Sequence, residues 1–152
     1  MIELVMVIVV LGILASVAVS KMSVTRDDAL ITKGKSQVSA IRSAITLMRS
    51  KNMMRGMTGG GNPIHLDALS TATSSDGENL FDYDSNASDS TKKILDYPIR
   101  AKSKDGWRKV AADKYTFNVT NLDINFTYNA GSFDCTHGTD TKAKKLCNTL
   151  TQ

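Results

Sequence analysis

Hydrophobic positions fall into three regimes along this chain. From Leu4 to Val19 no residue is charged and Ser16 is the most polar. The one charge ahead of Lys21 is Glu3. Counted with Met1 and Ile2, this run approaches the ~20 residues that cross a bilayer as a helix. From Val24 onward the spacing changes. Ile31, Gly34, Val38, Ile41, Ile45 and Met48 recur at steps of three and four, the period of one helical face, while Lys33, Lys35, Arg42 and Arg49 lie off it. No proline interrupts residues 1–62. The pattern predicts one helix to about Met54, ended by Gly56 and the run Gly59-Gly60-Gly61-Asn62-Pro63. At ~1.5 Å per residue it is a rod of roughly 80 Å. Residues 1–23 form a half that is apolar all round, and 24–54 a half with one apolar face to bury against a globular head.

The third regime has the period of strands. Residues 55–93 read as a connecting loop rich in Gly, Ser, Thr, Asn and Asp, in which Ile64, Leu66 and Leu69 suggest at most a short helix. Strand patterns follow at Ile94–Tyr97 and at Gly106–Val110, the latter after a turn at Lys104-Asp105-Gly106. Tyr115, Phe117 and Val119 alternate with polar residues, as do Leu122, Ile124, Phe126 and Tyr128 beyond a tight connection at Asn121, so the last two runs form a hairpin. The expectation is an α+β fold: a long N-terminal helix packed on a small antiparallel sheet of three or four strands, one sheet face lying on helix residues 30–52. Residues 94–152 hold the sheet and a C-terminal loop from Gly131 to Gln152.

Composition changes this picture little. A chain of 152 residues suits one domain plus an extension. A net charge of +4 is too small to imply a nucleic-acid partner, and no specific one is expected. Charge is unevenly placed. Residues 67–89 carry Asp67, Asp76, Glu78, Asp82, Asp84 and Asp89 with no basic residue, whereas residues 92–114 carry eight basic residues against three acidic ones. Two solvated faces account for this; a sharper reading sets the acidic stretch of one copy against the basic stretch of the next.

Cys135 and Cys147 are the two cysteines, and a bridge, a metal half-site or free thiols are open to them. Apart from His137 no third donor sits at ligand spacing, which favours the bridge and an oxidising compartment. Neither His65 nor His137 has a Ser or Cys partner in a catalytic frame, and Gly59-Gly60-Gly61 lacks the Lys-Ser/Thr of a phosphate-binding loop. No catalytic residue and no cofactor are therefore expected, and an anchored enzyme is a distant alternative. Of three glycosylation-type sequons, at Asn86, Asn118 and Asn125, only Asn86 lies in a polar loop and is a candidate acceptor.

The N-terminal run lacks the basic lead of a cleaved signal peptide. A carboxylate inside it is costly in hydrocarbon, roughly 2.5–3.5 kcal/mol on insertion scales, and such residues are usually functional. The string Met1-Ile2-Glu3-Leu4 followed by VMVIVVLGILASVAV resembles the N-terminus of type IV pilins and of the related type II secretion pseudopilins. In that family a prepilin peptidase cuts before a Phe that it also methylates, and the mature chain reads Phe-Thr-Leu-Ile-Glu-Leu. Met1 takes the Leu place, so no residue here takes that of the methylated Phe. Many members also carry a proline after the apolar run; here that neighbourhood reads Val19-Ser20-Lys21.

The resemblance implies a pilin-like fold and a homo-oligomeric helical filament. It implies residence in the inner membrane of a Gram-negative bacterium before assembly, and partners in the prepilin peptidase and the assembly machinery. It matches Glu3 to the glutamate that meets a neighbour's N-terminal amine, and Gly12 to the helix glycine; both would serve filament assembly. A cysteine pair closing a C-terminal loop is common in pilins, whereas pseudopilins more often hold that region with calcium. The pair thus implies a surface pilus for adhesion, motility or DNA uptake, with a secretion pseudopilus second. Calcium ligands, if any, would be Asp134 or Asp140.

Overall fold

The computed structural model describes residues 2–57, 60–63, 65–67, 73–82 and 93–152, and leaves the side chains of 19–24 undescribed. The fold is α+β. Helix α1 runs unbroken over Ile2–Met54 and is followed by β1 (Asn79–Leu80), β2 (Ile99–Arg100), β3 (Trp107–Ala111), β4 (Lys114–Val119), β5 (Leu122–Asn129), β6 (Ser132–Thr136) and helix α2 (Thr141–Thr151). Strands β3-β4-β5-β6 form an antiparallel meander, and β1 and β2 pair separately.

Two tight turns set the meander's register. Thr120 and Asn121 both adopt positive φ (46° and 66°), the geometry of a two-residue hairpin turn whose twist matches the strands it joins. Val119 therefore faces Leu122, and Phe117 faces Ile124. Ala130 and Gly131 repeat the device, with φ of 45° and 97°, so that Asn129 faces Ser132. Alternation then places Ile124, Phe126 and Tyr128 on one buried face of β5. In β4 the polar residues Thr116 and Asn118 are buried too. The Thr116 hydroxyl donates to Asn125 at 3.0 Å, and the Asn118 amide donates to Asp123 at 2.7 Å.

The core joins the helix to this sheet. Val38, Ile41, Ala44, Ile45 and Met48 of α1 meet Trp107, Tyr115, Phe117, Phe126 and Phe133 of the sheet and Leu150 of α2. All of these α1 positions except Ala44 are ones that the helical spacing marks out. Gly34 belongs to the same stripe because nothing larger fits: a Cβ there would lie 2.5 Å from the Phe117 ring and 2.9 Å from Leu150. Trp107 also donates its indole N–H to Gln37 at 3.1 Å, fixing the sheet's first long strand to the helix.

The structure departs from the sequence pattern in three places. The loop over 55–93 contains β1, which pairs with β2. The apolar run Ile94–Tyr97 forms bends in place of a strand, and the extended pairing begins only after Pro98, at Ile99. Ile94 is apolar because it is buried in the core, which needs no strand. The tail from Gly131 is regular structure: β6 completes the sheet, and α2 packs on α1. Asp140 caps α2 by accepting from the Lys142 N–H at 2.8 Å, and Ala143, Cys147 and Leu150 form its buried stripe. That spacing of three and four was present in the sequence, hidden within the expectation of a loop.

Candidate functional site

Contacts at Arg26 and Asp27 fix the head to α1. Arg26 pairs with Asp105, and Asp27 accepts from the Thr120 hydroxyl, so the two turns at the end of the sheet hold the helix. N-terminal to this point the helix is an arm of about 36 Å. Every side chain described along Ile2–Ala18 is exposed, including twelve large apolar ones, from Ile2 at 84% to Val10 at 46%. Isolated exposed apolar side chains need no explanation, but an all-round apolar cylinder does. Burying twelve such side chains at even ~1 kcal/mol each is worth on the order of 10 kcal/mol.

Glu3 lies in the first turn of this arm, where its charge suits the positive end of the helix dipole. Gly12 sits mid-arm with nothing within 4 Å of the place a Cβ would occupy, so the head does not require it. Both residues lie outside the head. Among the described residues no helix is long and apolar enough to cross a membrane. The apolar stretch with described side chains, Ile2–Ala18, measures about 25 Å against the ~30 Å hydrocarbon core of a bilayer.

At the other end of the chain Cys135 and Cys147 form a disulfide with a Cα–Cα separation of 5.8 Å, tying β6 to α2. A residue unmarked by the sequence pattern fixes this region to the long helix. Arg42 donates through Nε to the Phe133 carbonyl and through Nη1 to the Thr151 carbonyl, both at 3.1 Å, and lies 3.7 Å from Asp134. A cation at the last carbonyls of α2 also complements its dipole. Asp134 is thus engaged with Arg42 and the Ser132 hydroxyl, and Asp140 with its cap. No group of three or more His, Cys, Asp or Glu side chains gathers for a metal among the described residues, so the calcium candidates are not brought together.

The acidic and basic stretches meet within the chain at Asp67 and Lys109. Asp67 is buried with Lys109, Asp76 accepts from the Ser103 N–H at 2.7 Å, and Arg108 pairs with Asp123. Asp84 and Asp89 fall outside the described residues, as does the candidate acceptor Asn86. Asn118 is almost fully buried in β4, where a glycan has no room. A groove of about 520 Å³ runs between α1 and segment 95–100, lined by Leu30, Lys33, Gln37, Arg100 and Lys102 among others, with Tyr97 exposed at its rim.

The sequence pattern left one buried polar cluster unmarked. Lys109 and Asp67 form an ion pair at 2.5 Å, and the Tyr115 hydroxyl donates to the other Asp67 oxygen at 2.7 Å. A signal existed for half of it, since period-two alternation puts Lys109 on the inward face with Trp107. Nothing in the sequence marks Asp67 as its partner. No family model, curated protein or solved structure matches this chain.

Proposed function

We propose that this chain is a structural subunit that polymerises through its apolar helix arm into a pilin-like filament, with the heads forming the filament's outer surface. The observation that carries the reading is the arm, an all-round apolar helix that leaves the head with a single carboxylate near its tip. Such a surface must be covered, and lipid and the arms of other copies are the two apolar media available to it. In lipid, with residues 1–23 as the anchor, Glu3 carries the cost of a charge near hydrocarbon. Among packed arms it meets a neighbour's terminal amine. A buried charge deprived of its partner is destabilising by roughly 3–5 kcal/mol, so pairing both drives extraction from the membrane and sets the subunits' stagger. The cysteine pair that closes the tail favours a surface pilus. A secretion pseudopilus is the second reading, favoured by the Val19-Ser20-Lys21 stretch that lacks a proline.

The test is assembly by a Glu3→Ala chain in its own cell, with filaments counted by electron microscopy and membrane insertion followed by fractionation. The expected result is loss of filaments with the membrane fraction unchanged. Filaments at wild-type number and length from Glu3→Ala refute the role given to Glu3. Imaging the wild-type filament separates the two readings, since long extracellular fibres belong to a pilus and short periplasmic ones to a pseudopilus.

A further inference from the structure

The Lys109–Asp67 contact is independent of the arm and has chemistry of its own. The Lys109 side chain is 1% exposed and that of Asp67 is 0%, with Nζ 2.5 Å from Oδ1. The Tyr115 hydroxyl holds Oδ2. Tyr115 in turn belongs to an aromatic cluster: Phe81 packs on it at 4.6 Å between centroids, and Trp107 and Phe133 lie against Phe81. Lysine and aspartate are almost never this buried unless paired, and even a paired ion loses its hydration. An amide made from the same two groups carries no charge, and a site closed to water neither dilutes the reacting groups nor supplies the water that would hydrolyse the product.

We propose that Lys109 and Asp67 condense to an intramolecular isopeptide bond. The ammonium first passes one proton to Oδ1, giving an amine and a carboxylic acid in contact. The Nζ lone pair attacks Cγ and forms the C–N bond, while the Tyr115 hydroxyl donates to Oδ2 as negative charge gathers there. The Cγ–Oδ1 bond breaks, and Oδ1 leaves as water with its own proton and one from Nζ. Ammonium and carboxylate become amide and water; nothing is oxidised or reduced, and no co-reactant is needed. The bond joins the segment that follows α1 to β3 across 42 residues of sequence, and with the disulfide it leaves the head locked covalently at two joints.

Mass spectrometry of the reduced full-length chain tests this. The expected result is a chain lighter by one water, with a branched peptide in which Lys109 resists trypsin and is joined to the peptide containing Asp67. Lys109→Arg and Asp67→Ala restore the full sequence mass wherever they fold, and Tyr115→Phe lowers the fraction joined. Asp76-Gly77 and Asp105-Gly106 are succinimide sites that also lose water, but a succinimide opens in hydroxylamine and leaves its peptide linear. A mass deficit that maps to either of those sites overturns the proposal. So does a wild-type chain whose Asp67 and Lys109 peptides are both recovered unmodified.

Discussion

Replacing Gly34 by alanine tests how the head is seated on α1. In an exposed helix the change gains up to ~1 kcal/mol, because alanine is the better helix former. At Gly34 the added methyl would stand 2.5 and 2.7 Å from two atoms of the Phe117 ring and 2.9 Å from Leu150. Ordinary carbon contacts are ~3.5–4.0 Å, so the neighbours must retreat by about 1 Å. Neither can do so freely. Phe117 and Leu150 are both 1% exposed, and the Phe117 ring packs at 4.9 Å on Trp107. Overpacking of this kind costs about 1–3 kcal/mol, which outweighs the gain in propensity and leaves the head about 1 kcal/mol less stable. Gly12→Ala is the internal control, since the same chemical change meets nothing within 4 Å. Denaturant unfolding of the full-length chain in detergent, read by the single tryptophan, Trp107, reports on the head alone. Gly34→Ala is expected to lower the midpoint, by roughly 4 °C in the equivalent thermal scan, and Gly12→Ala to leave it unchanged or raise it. A Gly34→Ala head as stable as wild type refutes the close approach of α1 to β4 and α2.

Two further predictions concern the closed head. Reducing the Cys135–Cys147 bond releases a loop of sequence separation 12 and is expected to cost about 3 kcal/mol, seen as a lower unfolding midpoint that Cys135→Ser/Cys147→Ser reproduces without reductant. Burial first, then the charge and hydrogen bond of Asp67 for as long as it remains a carboxylate, push the Tyr115 phenol far above its ordinary value of 10. Its contribution to stability is therefore complete below pH ~10 and declines as pH rises beyond that, because the unfolded chain loses the proton first. In an alkaline titration followed by phenolate absorbance, part of the signal of the four tyrosines should appear only on unfolding, and Tyr115→Phe should diminish that part. A smooth titration of all four in the folded chain contradicts the burial of Tyr115.

The long helix, its two halves and the hairpin of β4 and β5 are legible in the sequence because each rests on local periodicity. Steps of three and four mark Val38, Ile41, Ile45 and Met48, and steps of two mark Ile124, Phe126 and Tyr128. The same rules fail where an apolar residue is buried without regular backbone, as at Ile94. They also failed at α2, where a short stripe of Ala143, Cys147 and Leu150 was masked by its polar neighbours. Glu3 and the apolar arm needed no tertiary information at all, since a lone carboxylate before an uninterrupted apolar run is a one-dimensional signal. Only the fold could decide that Asp67 meets Lys109, that Arg42 holds the last turn of α2, and that Gly34 is small because Phe117 is in the way. Those contacts join residues 42 to 109 positions apart, and no local pattern encodes a partner at that distance; it is chosen when the core closes and each buried polar group must find its counterpart.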